Sequence, residues 1–366
     1  MPLQNAAERI LTSRAGKRLS LADGLALLRE APLGPLMDAA HAVRQKRHPG
    51  NRVTFVMDTN PNYTNVCEVE CGFCAFQRPA DSPEAYTLTP AAVAAKVVSA
   101  AAQGATTVLL QGGCNPCIGL DDWIAYIRAI RAACPRIHIH PFSPAEYAHM
   151  AHRERLTYKA VLEAVYAEGV TTIPGGGAEV LVEDVRRRLA PRKASAAQWL
   201  EVCETAHRIG FRTTATLMYG HLESDADIIS HLLRLRDLQD RTAGFTSFIA
   251  WSFKPGKTPL GRKVPYPAHP ARFVRIIATA RLVLDNFDHI QSSWFSESPR
   301  AGQLALLAGA DDFGGVLVEE NVLRTAGHAP VNTRPGVEAL IQQIGFQPVQ
   351  RDSCYRDFAV DGAAAG

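Results

Sequence analysis

From residue 53 onward the chain alternates two textures. Short apolar runs, β-branched or alternating with polar residues, are each followed by a longer stretch whose apolar positions recur at helical spacing. The short runs predict strands at Val53–Met57, Thr107–Leu110, Ile137–His140, Val170–Ile173, Thr213–Met218, Ser247–Trp251, Ile290–Ser293 and Gly315–Val318. The longer stretches predict helices at Pro90–Ala102, Asp121–Ala133, Tyr158–Glu168, Ala196–Ile209, Asp225–Thr242, Pro270–Asn286 and Pro299–Ala308. Such regular alternation implies parallel strands and βαβ units. Up to eight units is the count of a (β/α) barrel of the TIM type. An open doubly wound sheet is the alternative, but no dinucleotide fingerprint opens the first unit. The expected division is a helical extension over 1–50, the barrel over 51–328, and a C-terminal helix and tail packed on the barrel over 329–366.

The residues just after each strand are polar or glycine-rich: Asn60–Asn65, Gln111-Gly112-Gly113, Pro141–Ser143, Pro174–Glu179, Gly220–Glu223, Phe253–Gly256 and Trp294–Glu297. In a parallel barrel these loops share the face where active sites sit. Their agreement points to an enzyme.

Composition narrows the class. The 366 residues are 47% hydrophobic and 20% charged, with a net charge of +3, as in an ordinary globular protein without a nucleic-acid or anionic-membrane partner. The basic run Arg186-Arg187-Arg188, with Arg192 and Lys193, reads as a solvated helix end. No apolar run is long enough to span a bilayer, and the start has no signal-peptide core, so a cytoplasmic location is expected. In that reducing compartment eight cysteines imply metal or redox chemistry rather than a disulfide framework.

Three of those cysteines are clustered. Cys67, Cys71 and Cys74 follow a C-x3-C-x2-C spacing, with Phe73 before the third, on the loop after the first strand. Three thiolates hold three irons of a cubane cluster and leave the fourth iron open. A structural zinc site would want a fourth ligand, and a ferredoxin a fourth nearby cysteine.

Cys67, Cys71, Phe73 and Cys74 resemble the cluster motif of the radical S-adenosylmethionine (SAM) superfamily. The resemblance implies a [4Fe-4S] cluster whose open iron is chelated by SAM. It also implies a low-potential electron donor such as flavodoxin or ferredoxin, and Phe73 beside the adenine. Gln111, Gly112 and Gly113 look like the segment whose glycine backbone meets the methionyl amino group. Asn62–Cys67 and Pro174–Glu179 resemble the futalosine-pathway enzymes of menaquinone biosynthesis and their deazaflavin-synthase relatives, and Tyr219–Glu223, Trp251–Pro255 and Ile290–Trp294 are similar to the dehypoxanthine futalosine cyclase family among them. That likeness runs from Val53 to Tyr355 and implies cyclisation of dehypoxanthine futalosine, a sugar-bearing benzoate.

Further candidates come from the strand-end loops. Glu179 is placed at a ribose hydroxyl of SAM or substrate, or as a helix cap. Ser143 is placed at SAM, or as the N-cap of the segment that follows. His138 and His140 share one face of a strand, for substrate or as a core pair. Arg281 and Gln291 are candidates for the benzoate carboxylate, unless they face outward. His221 and Glu223 are proton-acceptor candidates by position. Two segments depart from the family pattern. Cys114-Asn115-Pro116-Cys117 is a disulfide, a second metal site, a redox relay or plain loop, and Ser296-Glu297-Ser298 replaces a Gly-Pro loop. Two other readings stay open: a sister radical SAM activity of the aminofutalosine or deazaflavin synthase type, and a non-catalytic Fe-S protein with Cys114 or Cys117 as fourth ligand.

Overall fold

The inner wall of the barrel is written at every second residue of its first strand. In β1 (Arg52–Thr59), Thr54, Val56 and Asp58 face the interior, while Val53, Phe55 and Met57 are buried on the other side. Burial on both faces marks a parallel strand covered by helices. A computed structural model describes residues 6–12, 18–319, 321–328 and 333–357. Further strands are β2 (Thr107–Leu110), β3 (His138–Pro141), β4 (Thr172–Ile173), β5 (Arg212–Tyr219), β6 (Phe245–Ser252), β7 (His289–Gln291), β8 (Asp312–Leu317) and β9 (Gln347–Gln350). All pairings are parallel, in the order β3-β2-β1-β8-β7-β6-β5-β4. This is the expected eight-stranded barrel, nearly closed.

The seam lies between β3 and β4, the two ends of the ladder. Side chains bridge it. His138 Nε2 and His140 Nδ1 each lie 2.7 Å from Thr172 Oγ1. A hydroxyl both donates and accepts, so it serves the two rings at once. Burial lowers the affinity of both rings for a proton, which keeps the pair compatible.

The observed elements depart from the expected ones in several places. β4 is two residues long, not four. β8 starts at Asp312 rather than Gly315. Gly314 and Gly315 resemble a strand break in sequence, but pairing from Thr54 to Asp58 carries the segment through them. Nothing in the residue pattern announces β9, a tail strand that pairs with the first half of β1, from Arg52↔Gln347 to Phe55↔Gln350. The helix Glu183–Leu189 is likewise unexpected.

Outside the barrel, helices Leu21–Glu30 and Leu33–Arg47 bury Leu27, Leu36 and Ala40 against Val274, Ala278 and Leu282 of the helix Pro270–Val283. The extension therefore packs on the barrel's outer layer. No helix among the described residues is long and apolar enough to cross a membrane.

The floor of the barrel is built by the tail. Arg351, next after β9, forks onto the Asp312 carboxylate, which also accepts from Thr54 Oγ1 at 2.6 Å and Gln291 Nε2 at 3.1 Å. The guanidinium lies 3.9 Å from the Tyr355 ring centroid, and Tyr355 stacks on His289 at 3.7 Å.

Candidate active site and cofactor pocket

Two cavities meet at the C-terminal ends of the strands. The upper one, about 250 Å³, is walled by Cys67, Cys71, Cys74, Phe73, Gly112, Gly113, Ser143 and Glu179, among others. The lower one, about 290 Å³, fills the barrel interior and includes Asp58, His140, Gln291 and Arg351. Asn60, Gln111, Trp251 and Val322 line both, so the two spaces adjoin.

The cysteine loop rests on the glycine pair. A Cβ at Gly113 would lie 2.1 Å from Val66 O, and one at Gly112 would lie 2.8 Å from the Tyr63 ring. No side chain fits at either position while the loop lies there. Both amides are spent internally, Gly113 N on Thr64 O at 2.9 Å and Gly112 N on Glu146 Oε1 at 3.1 Å. Carbonyl oxygens remain there to meet a ligand's amino group, although Gly113 O already accepts from Asn115 N at 2.9 Å. Ser143 caps the helix Pro144–Glu154 in a box with Glu146 and also lines the upper cavity. Glu146 had no signal beyond that box. It is buried, and Tyr63 and Gly112 converge on it from other elements.

The three thiols differ in surroundings. Burial pushes Cys71 up to about 12 and also raises Cys74. A hydrogen bond from Cys114 brings Cys67 down to about 6. Cys114 shares the upper cavity, whereas Cys117 is exposed, and both are free thiols rather than a disulfide. Among the described residues, the one group whose ligand atoms all lie within 4.8 Å of one another is His48, His289 and Asp311. The cysteines are thus spread wider than a single-ion site requires. A multi-iron cluster fits this donor set.

Glu179 sits opposite the thiols, buried, with φ at 45°. Lys193 Nζ pairs with it at 2.5 Å and lies 5.3 Å from the Phe73 ring centroid. Burial pushes the Glu179 carboxyl up, but Lys193 and Arg186 outweigh it and hold it below its usual range. Arg186 is not part of a solvated helix end: it is buried and donates to the carbonyls of Gly177, Ala178 and Ala194. Those bonds hold the loop that carries Glu179. Lys193 and Arg186 read as solvated in the sequence because their partners are defined only by the fold.

Three expectations are corrected here. Arg281 is 1% exposed on the helix Pro270–Val283, bonded to Gly309 O and paired with Asp311 at the opposite end of the barrel. It lines neither cavity, because its helical face points at the N-terminal ends of β7 and β8. His221 is enclosed by its own turn. Its Nδ1 accepts from Leu222 N at 2.6 Å and its Nε2 lies 2.9 Å from Met218 O, leaving no ring nitrogen for a substrate proton. Glu223 accepts from the amides of Gly220 and His221 at 2.6 and 2.8 Å, so both oxygens shape the turn. His140 and Gln291 do reach the lower cavity; His138 stays at the seam. The Ser296–Ser298 loop is tied down by Glu297, which accepts from Ser252 N at 2.7 Å.

Comparison with known proteins now adds to this geometry. A family described as Radical SAM superfamily matches residues 61–235, and one described as CofH/MqnC C-terminal region matches 242–361. A cyclic dehypoxanthine futalosine synthase of Streptomyces coelicolor is 36% identical over 94% of this chain and 87% of its own length. This chain belongs to the radical SAM superfamily. Its CofH/MqnC-type C-terminal region spans β6 through β9, so the radical SAM barrel and its floor belong to one family architecture. Other radical SAM relatives have different names. An aminodeoxyfutalosine synthase of Thermus thermophilus is 37% identical over 94% of each chain. A 5-amino-6-(D-ribitylamino)uracil–L-tyrosine 4-hydroxyphenyl transferase of Methanoculleus marisnigri is 39% identical over 89% of each. Among solved structures, methylornithine synthase superposes with a TM-score of 0.72 at 18% identity, over 94% of this chain and 97% of that one. A maturase of the [FeFe]-hydrogenase superposes at 0.73 and 14%, over 96% and 76%. These two show the radical SAM fold. The superfamily's cofactors are a [4Fe-4S] cluster and SAM. Cys67, Cys71 and Cys74 are the residues that would hold the cluster, with the rest of the upper cavity left for SAM.

Proposed function

We propose that this radical SAM enzyme converts dehypoxanthine futalosine to its cyclic, spiro form. The observation that carries the reading is the adjacency of the two cavities: one is walled by the cysteine loop, and the other is a space inside the barrel with a polar floor. Held by Cys67, Cys71 and Cys74, the cluster would supply one electron to SAM, and the 5′-deoxyadenosyl radical so released would take hydrogen from ribose C4′. Addition of the ribose carbon to the benzoate ring would then balance by return of one electron to the oxidised cluster and release of one proton to solvent.

The chain's own part is to bind, orient and exclude water. Glu179 is held ionised by Lys193 and suits a ribose hydroxyl of SAM. Ser143 and the Gln111–Gly113 segment wall the same space. His140 and Gln291 face the substrate side. A low-potential flavodoxin or ferredoxin is the electron donor that this chemistry needs. The relatives named for synthase and transferase activities are as similar as the cyclase. Support for the cyclase therefore comes from the Trp251–Pro255 and Ile290–Trp294 segments, which border the lower cavity through Trp251 and Gln291.

The test is anaerobic reconstitution with iron, sulfide, SAM and dithionite, followed by mass spectrometry with dehypoxanthine futalosine. Cyclic product together with 5′-deoxyadenosine, both lost in Cys71→Ala, is expected. Deoxyadenosine without cyclic product would overturn the substrate and leave the superfamily intact.

A further inference from the structure

Asp58 points into the barrel because it alternates with Val56 and Asn60, which line the same space. It is 6% exposed, and its Oδ1 has no hydrogen-bond partner. On the neighbouring strand β8 stands Gly315, where a Cβ would come within 2.9 Å of that same oxygen. The glycine therefore leaves the carboxyl room that any side chain would fill.

The rest of the floor satisfies itself. Arg351 spends its hydrogen bonds on Asp312 and on Asp352 O, and Gln291 and Thr54 also serve Asp312. The charged or titratable groups that face Asp58 are Arg351 and Tyr355 from the tail, Asp312 from β8 and His140 from β3. The cavity-facing side chains of β2, β5, β6 and β7 carry no charge. Among the described residues that line the cavity Arg351 is the one guanidinium, and Asp312 holds it, so Asp58 has no cation of its own. Burial accordingly pushes its carboxyl up to about 8. At neutral pH it carries its proton and is a donor without an acceptor. A buried donor of this kind is completed by whatever occupies the cavity.

We propose that Asp58 is a substrate-binding residue whose carboxyl O–H donates to a carboxylate oxygen of the substrate at the barrel floor. This rests on the reading above that the substrate carries a benzoate. With the carboxylate held below, the sugar is presented upward, toward the cysteine loop. One buried contact thereby decides which end of the molecule meets the radical.

The experiment compares wild type, Asp58→Asn and Asp58→Ala in the reconstituted holoenzyme, between about pH 6 and pH 9. It reads KM, kcat and the ratio of cyclic product to 5′-deoxyadenosine, with melting curves as the control for folding. Asp58→Ala is expected to raise KM about tenfold or more and to release deoxyadenosine without product. Asp58→Asn keeps a donor, so its KM stays within about threefold of wild type. It also loses the rise in KM that wild type shows above about pH 8. Wild-type KM and coupling in Asp58→Ala, or an Asp58→Asn no better than Asp58→Ala, would sink the proposal. Deoxyadenosine without cyclic product in wild type is a failure of the substrate reading instead. The three proteins are then ranked with L-tyrosine, which is named in the transferase relatives and also carries a carboxylate, and the same order of KM decides Asp58.

Discussion

Arg281 and Asp58 are both buried ionisable residues, and the difference between them lies in their partners. Arg281 has Asp311 and three carbonyls, so its charge is compensated in the folded chain. Arg281→Met leaves Asp311 buried without that cation. A loss of about 3–5 kcal/mol of stability is expected in denaturant titrations, with KM of the reconstituted enzyme unchanged. Asp58 lacks such a partner, and its affinity for a proton lies above the ordinary 3.8, at about 8. Between these two values the folded state binds the extra proton, so stability falls as pH rises through that window. Asp58→Asn removes the dependence. Melting temperatures should coincide near pH 4, and the variant should melt a few degrees higher near pH 8. A wild-type melting curve that does not decline over this range contradicts the assignment. The gathering of Cys67, Cys71 and Cys74 at one cavity was legible because residues on one loop declare themselves by spacing. Glu146, Lys193, Asp58 and Arg351 were not, since each acquires its role from residues far away in the chain. Arg281, His221 and Glu223 misled because a position in the chain does not say which way a side chain turns: His221 and Glu223 bond within their own turn, and Arg281 faces the other end of the barrel.

At the scale of elements, the parallel strands were legible wherever β-branched runs alternate with helices of clear period. Short β4 and glycine-interrupted β8 were harder, because neighbours rather than local propensity hold them. The β3–β4 seam shows what replaces a ladder. Thr172→Val keeps the shape of the side chain and removes the oxygen that serves His138 and His140. Two buried ring nitrogens then lose their partner, at a cost of about 1–3 kcal/mol each. Hydrogen exchange should quicken first at β3 and β4, and equal protection in the variant would show that the seam does not depend on that hydroxyl.

Across the whole molecule, the barrel and its cofactor face were readable from alternation and the cysteine loop. The floor was not, because it is made by a tail whose strand β9 has no distinctive pattern. Arg351 is the hub of that floor. Arg351→Ala would leave Asp312 and Asp58 facing each other without a cation, and a loss of about 3–5 kcal/mol is expected. Asp58 would then hold its proton more tightly, so melting curves should show the variant recovering stability toward acid. A variant equally destabilised at all pH values would place the role of Arg351 in packing instead.

The pairing of Arg52 with Gln347 also has a consequence for synthesis. The first barrel strand leaves the ribosome long before the strand that covers its lower edge. Until then that edge is a row of open amides and carbonyls, a template for mispairing. A chain stalled anywhere between the two strands would hold a cysteine loop but no floor, and would need a chaperone rather than a cluster.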